Sequence, residues 1–407
     1  MHAPRARPAL SSAIVALSLA ATASTVRAQG APPRQYYITD IGFIGGDTAS
    51  AAYHVNDYGQ VVGYSGAGGN YQPFLWQPVA PNSITGSIHA IGTFGGASGA
   101  ATSINRYGQV SGYSTDSSGN NQMFLWSPTA NNWNTTGGSM HQLGSVGYPN
   151  YWPTGINDSG QVAGSATSSP VLWTPNTSNG TSGTTQILPV SSYGSARALN
   201  NGGEAAGHMA GYGGTYQAVR YTPGSGGYTY KNIGDVLGSA AYGPGAAEGV
   251  NDNGIVTGSC SGNASGGQPR AFLWNSSDQV CTIYTPNLLY TAGNDANELG
   301  AAVGYFSDAP NVTKSYLYEG AMNGGMTFDP NQFYDLQYGI DPSLGWNLLG
   351  AFGINNAGQI CGYGVLNGAT HAYLLTPVPA PGPALLLGLG ALAAARRRRA
   401  GSPTSST

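Results

Sequence analysis

Short apolar runs broken by Asn, Gly and Ser recur along the middle of the chain, and none keeps the 3.6-residue period of an amphipathic helix. Laid under one another they form a repeat of four strand-like pieces. The first runs into an Asn turn, as in residues 50–55, and the second leaves that turn, as in 60–65. The third ends on an aromatic pattern: Phe74-Leu75-Trp76, Phe124-Leu125-Trp126, Val171-Leu172-Trp173 and Phe272-Leu273-Trp274, with weaker versions at 219–221, 316–318 and 373–375. The fourth is read at 38–42, 88–92, 140–144, 186–188, 230–234, 281–284 and 333–336.

One signature punctuates the repeat: an Asn, a Gly three residues on, and a second Gly four residues after that. Its copies are Asn56/Gly59/Gly63, Asn105/Gly108/Gly112, Asn157/Gly160/Gly164, Asn200/Gly203/Gly207, Asn251/Gly254/Gly258, Asn297/Gly300/Gly304 and Asn355/Gly358/Gly362. The Asn side chain can bond the backbone two residues on while the first Gly turns left-handed, which makes a four-residue hairpin loop. The second Gly falls inside a strand, where a neighbouring backbone is expected to come close. The aromatic residue closing strand three is expected to pack blade on blade.

A period near 50 with four strands per unit predicts an all-β, seven-bladed β-propeller over 36–377. One fourth-type strand precedes the first repeat and none follows the seventh. The count therefore balances if the N-terminal strand completes the last blade and hides the free edges. Repeats four and six are degenerate, which leaves six or eight blades open.

The two ends read differently from the body. Residues 1–28 have a basic start, an apolar core at 13–21 and a Val26-Arg27-Ala28 cleavage site, the pattern of a secretory signal peptide cut after Ala28. After residue 377 come Pro379-Ala380-Pro381, twelve uncharged residues predicted as a short apolar helix at 384–395, then Arg396, Arg397, Arg398 and Arg399. Such a helix spans about 18 Å, short of a hydrocarbon core of about 30 Å, so the anchor is marginal. Its arginines stay cytoplasmic by the positive-inside rule. Residues 400–407 read as a disordered tail.

Without the ends, the body carries seven Lys and Arg against all 17 acidic residues, a formal charge of about −10. That argues against partners such as nucleic acid or an anionic membrane surface.

Two resemblances follow from these residues. Segments 55–65, 104–114, 156–165 and 354–363, with His371-Ala372-Tyr373 and Arg270-Ala271-Phe272, resemble the bacterial extracellular HAF repeat. The C-terminal 378–399 segment resembles a PEP-CTERM sorting domain, with Ala380 standing where that family has Glu. The second resemblance implies an exosortase-like processing enzyme as partner. It also implies transient anchorage in the inner membrane and delivery to the outer surface or matrix of a Gram-negative bacterium.

Candidate chemistry is sparse. The pairs Asn56-Asp57, Asn157-Asp158 and Asn251-Asp252 offer oxygens of the kind Ca²⁺ prefers, but no loop alternates acids as a calcium loop does, so a turn cap is the better reading. His54, His89, His141, His208 and His371 show no zinc spacing. Cys260 and Cys281 are a candidate disulfide pair on strands two and four of one repeat, which geometry must decide; Cys361 reads as a small core residue. There is no nucleophile elbow, phosphate loop or cofactor motif. The longest insertion, 305–352, carries Asp329, Asp335 and Asp341 and is the place to look for paired carboxylates. The reading is a non-catalytic binding or structural module, with extracellular polysaccharide as the candidate ligand for its Tyr-rich loops. The alternative is a propeller hydrolase or lyase acting on the same polymers.

Overall fold

The computed structural model describes residues 34–379, apart from 131–133, 145, 149, 212–215, 235–244, 262–266 and 321–325. The expected signal peptide with Ala28, and the sorting segment from Ala380 and Pro381 through the helix to Arg396–Arg399, lie outside them. Pro379 is the last residue described.

The chain is all-β. After β1 (Tyr36–Asp40), the strands follow in sets of four. The first set is β2 (Ala49–Val55), β3 (Val61–Ala67), β4 (Asn70–Pro78) and β5 (Gly86–Ala90); the second is β6 (Gly95–Ile104), β7 (Val110–Asp116), β8 (Asn121–Pro128) and β9 (Gly138–Gln142). The third is β10 (Tyr151–Ile156), β11 (Val162–Ala166), β12 (Ser169–Pro175) and β13 (Gly183–Ile187); the fourth is β14 (Gly194–Leu199), β15 (Ala205–Ala210), β16 (Tyr216–Gly224) and β17 (Gly227–Asn232). The fifth is β18 (Gly245–Val250), β19 (Val256–Ser261), β20 (Pro269–Trp274) and β21 (Val280–Ile283); the sixth is β22 (Tyr290–Ala296), β23 (Ala302–Ser307), β24 (Lys314–Tyr318) and β25 (Phe333–Asp335). The seventh has only β26 (Trp346–Ile354), β27 (Ile360–Leu366) and β28 (Ala369–Pro377), and β1 pairs antiparallel with β28 as its fourth strand.

Each set is an antiparallel four-stranded blade, and one parallel bridge, Tyr71 to Ser98, links the first two. The arrangement is propeller-like. Its fourth strands start earlier than the apolar pattern suggests, at Gly86, Gly138 and Gly183 in the first three blades. A Cβ at any of these glycines would collide with the indole of Trp76, Trp126 or Trp173, so each Trp packs under the start of its own outer strand.

The core is divided between blades. Trp76 and Phe74 of blade one pack with Cys361, Ala372 and Leu374 of blade seven, while Leu75, one residue along, packs with Ile104 and Trp126 of blade two. The alternation of side chains along a strand sends neighbours to opposite faces, so every blade contributes to two clusters. Trp173 meets Leu125, Tyr221 meets Leu172, Trp274 meets Ala218, Tyr318 meets Leu273, and Leu375 meets Leu317. Seven clusters thus join seven consecutive pairs of blades, the last pair being blades seven and one.

That division settles the candidate disulfide, which is not formed. Cys260 lies in the cluster between blades four and five, and Cys281 in the one between five and six. They occupy opposite faces of one sheet, on β19 and β21 with β20 between them. Both are buried free thiols, as is Cys361.

Candidate functional site

The seven turn asparagines converge on one axis. In every turn the Asn Oδ1 accepts from the backbone N–H four residues on, as Asn105 does from Gln109 at 3.0 Å, and the Gly N–H bonds back to the Asn carbonyl. Left-handed φ of 73–85° at Gly59, Gly108, Gly160, Gly203, Gly254, Gly300 and Gly358 makes the turn possible. The degenerate repeats four and six keep it, through Gly203 at φ 78° and Gly300 at φ 85°. The Asn Nδ2 then reaches the Asn carbonyl of the next blade: Asn56 to Asn105, Asn105 to Asn157, Asn157 to Asn200, Asn200 to Asn251, Asn251 to Asn297, Asn297 to Asn355, and Asn355 back to Asn56, all at 2.8–3.1 Å. Seven buried amides close a ring.

A second ring lies beside it. The backbone N–H of Arg106, Asp158, Asn201, Asp252, Glu298 and Asn356 each donates to the side-chain oxygen of the same position in the next blade. It is open only between Asp57 and Arg106, because a guanidinium offers no acceptor. The two rings line an axial pocket of about 180 Å³. The turn glycines, Gly203, Gly254, Gly300 and Gly358 among them, stand outside that lining and shape the turns behind it. The carboxylates of the pocket are committed to backbone donors, and among the described residues no cluster of His, Cys, Asp and Glu is arranged to hold a metal. This end of the axis is a fastening.

Three residues up each innermost strand the chemistry changes. There the pairing register slips by one residue, so that Tyr53, Thr102, Thr154, Arg197, Glu248, Asn294 and Phe352 are each the extra residue of a β-bulge. A bulge tilts its strand and re-aims the side chain. The tilt also explains the second Gly of the motif. A Cβ at Gly63, Gly112, Gly164, Gly207, Gly258, Gly304 or Gly362 would collide with the carbonyl two residues before the bulge, such as that of Ala51 or Ser195.

The bulge residues meet around the axis. Tyr53 packs edge-on to Phe352 with centroids 5.8 Å apart, Arg197 donates to both Glu248 oxygens at 2.8 and 2.7 Å, Thr154 donates to the Ala196 carbonyl, and Asn294 to that of Ala351. Tyr64, Tyr113, Tyr305, Tyr363 and His208 follow the motif glycines on the second strands. Burial, reinforced by the neighbouring phenols, holds the Tyr53 hydroxyl far above its ordinary range. Burial raises the Glu248 carboxyl against the pull of Arg197. It lowers His208 to about 4, with Arg197 adding to the effect.

On one side this level opens into a cleft of about 400 Å³ between blades three and four. Trp152 and Tyr216 show 38% and 51% of their surfaces at its walls, which matters because stacking needs open ring faces. His208 stands edge-on to Tyr216 at 4.5 Å. A larger groove of about 690 Å³ follows β1 past Tyr37, Tyr338 and Leu344 to Val378.

The other positions singled out in the sequence do not assemble a site. Asp329, Asp335 and Asp341 cap three successive 3₁₀ turns through Asn331, Gln337 and Ser343, so they are spread along the insertion as turn caps. His89 and His141 sit on outer strands, bonded to Ser87 and Ser139. His54 accepts from the Ile104 N–H near the axis, and His371 pairs with Asp40 where β1 closes blade seven. The bulge residues escaped the sequence reading because no one type recurs through the repeats: seven positions hold six residue types. Their signal is the small residue ahead of each: Ala52, Ala101, Pro153, Ala196, Ala247, Gly293 and Ala351. Compared with known proteins, the chain matches no family model and no curated protein.

Proposed function

We propose that this chain is an exported seven-bladed β-propeller of the HAF-repeat type, closed by its N-terminal strand. Its C-terminal segment would deliver it through an exosortase-like enzyme to the bacterial surface or matrix, where it serves as a non-catalytic binding module for polysaccharide. One observation carries the binding part: a constant frame presents seven bulge residues of six types to the axis, flanked by Trp152, Tyr216 and a crown of tyrosines. Rings with one open face and neutral hydroxyls suit sugar, which offers C–H faces to stack and hydroxyls to bond.

The hydrolase or lyase alternative asks for carboxylates free to exchange protons. Glu248 is held by Arg197, and Asp295 accepts from the backbone of Ala296 and Ile354. Both observations favour binding. Retention of the purified chain on a panel of matrix polysaccharides, with polymer viscosity unchanged, is the expected result. No retention on any polymer overturns the binding reading, and falling viscosity replaces it with the enzymatic one. Intact mass of the protein recovered from its cells tests the export route: a chain starting at Gln29 and ending near Pro379 is expected, and one still carrying Arg396–Arg399 refutes processing.

A further inference from the structure

The cleft between blades three and four has a specific charge state. The cation in its lining is Arg197, whose Nη1 is bound by both oxygens of Glu248 and whose Nε donates to His208 Nδ1 at 3.2 Å. That bond makes Nδ1 an acceptor and leaves the ring proton on Nε2, so the imidazole facing the cleft is neutral. One cation, one anion and a neutral ring leave no net charge to meet an anionic ligand. What remains is apolar ring surface on Trp152 and Tyr216 and the hydroxyls of Ser165 and Ser168.

The rim carries an independent mark. Thr167, in the hairpin between β11 and β12, has φ of +52°. The equivalent hairpins of blades one and seven use Gly68-Gly69 and Asn367-Gly368 in that region. A β-branched residue is strained there, and strain of this kind gathers where a side chain serves a site. Here it places a hydroxyl at the cleft.

Resting on the reading of the chain as a polysaccharide-binding module, we infer that this cleft is a subsite for a neutral glycosyl unit, stacked between Trp152 and Tyr216, and that it discriminates against uronates. Glu248 sets the discrimination, because it takes Nη1 and neutralises the guanidinium that would otherwise pair with a sugar carboxylate.

The experiment is calorimetric titration of the full chain with neutral oligosaccharides (cello-, xylo- and galacto-oligomers) and with oligogalacturonate and oligomannuronate. At least one neutral series binds, and the uronates bind tenfold or more weakly. Trp152→Ala and Tyr216→Ala each weaken neutral binding tenfold or more, with the melting temperature of Tyr216→Ala confirming that the frame is intact. Glu248→Gln gains uronate binding. Uronate binding equal to or tighter than neutral binding in the wild type overturns the proposal and leaves the binding module standing. Neutral binding indifferent to both ring substitutions also overturns it, placing the ligand elsewhere. Absence of binding by every oligosaccharide and by the polymer panel brings down the broader reading as well.

Discussion

The two levels of the axis differ in how much each side chain must do. At the turn end, each Asn spends its amide on backbone: its own turn through Oδ1, the next blade through Nδ2. That double task, accepting from one backbone group and donating to another in a tight turn, fits the short amide of Asn and is the same in every blade. About 10 Å along the strand, the bulge residues bond one another or make a single backbone bond, as Thr154 and Asn294 do to the next blade, and no one type is required. Tyr53 and Phe352 make an aromatic contact where Arg197 and Glu248 make an ion pair. In a repeat of this kind, constancy marks the frame and variation marks the surface the frame presents.

That contrast breaks most sharply at Asn105. Asn105→Asp removes the donor to the Asn157 carbonyl and sets a charge against it in a buried site. The expected loss is about 3–5 kcal/mol, since an uncompensated buried charge is among the costliest changes. Thr102→Ala, three residues away, removes a single bond to the Ser111 carbonyl and is expected to cost about 1 kcal/mol. Urea unfolding of both variants checks the ratio; equal losses would erase the distinction between frame and presented surface. Gly207→Ala belongs with the frame: the Cβ must displace the Ser195 carbonyl, at about 2–3 kcal/mol.

The frame was legible for the same reason that it is constant. Seven copies of Asn-x-x-Gly, from Asn56-Gly59 to Asn355-Gly358, gave the turn. The second Gly gave a close backbone approach, and Phe74-Leu75-Trp76 with its relatives gave the third strand. The inter-blade amide ring was not legible, because a turn-capping Asn already has a local explanation and nothing in one repeat points to the next. Strand starts at Gly86 and Gly138 were missed because a Gly chosen to fit beneath a Trp looks like a loop residue. The candidate site was hidden by its own variety. Arg197 and Glu248 stand 51 residues apart and become neighbours only when the blades are laid around an axis.

A smaller effect tests the presented surface through pH. The folded pKa of His208 lies near 4, lowered chiefly by burial and further by Arg197, against about 6.5 in the unfolded chain. As pH falls from about 6.5 toward 4, the unfolded chain takes up a proton that the folded chain refuses, so His208 contributes a loss of stability across that window. By pH 4 the loss approaches 3 kcal/mol, at about 1.4 kcal/mol per unit. The raised Glu248 carboxyl works in the opposite sense, since the folded chain protonates it first. His208→Gln keeps Glu248 and removes the histidine contribution, so wild type and variant compared at pH 7.5 and 4.5 isolate it. The variant is expected to lose about 2–3 kcal/mol less on acidification, and parallel losses would place His208 in contact with solvent.

The smallest effect lies at Thr167 and has the opposite sign. A frame residue replaced by Gly loses stability through the freedom it gains when unfolded, by about 0.5–1 kcal/mol. Thr167 is held at φ +52°, where a β-branched side chain carries strain of about 1–3 kcal/mol. Thr167→Gly releases that strain, and the balance is a gain of about 1 kcal/mol. If the strain is kept for the cleft, the same substitution weakens neutral-oligosaccharide binding a few-fold while the melting temperature rises. A rise in stability with unchanged affinity would assign the hydroxyl no part in the cleft. A fall in stability would show that the hairpin needs its threonine, and would move residue 167 from the presented surface to the frame.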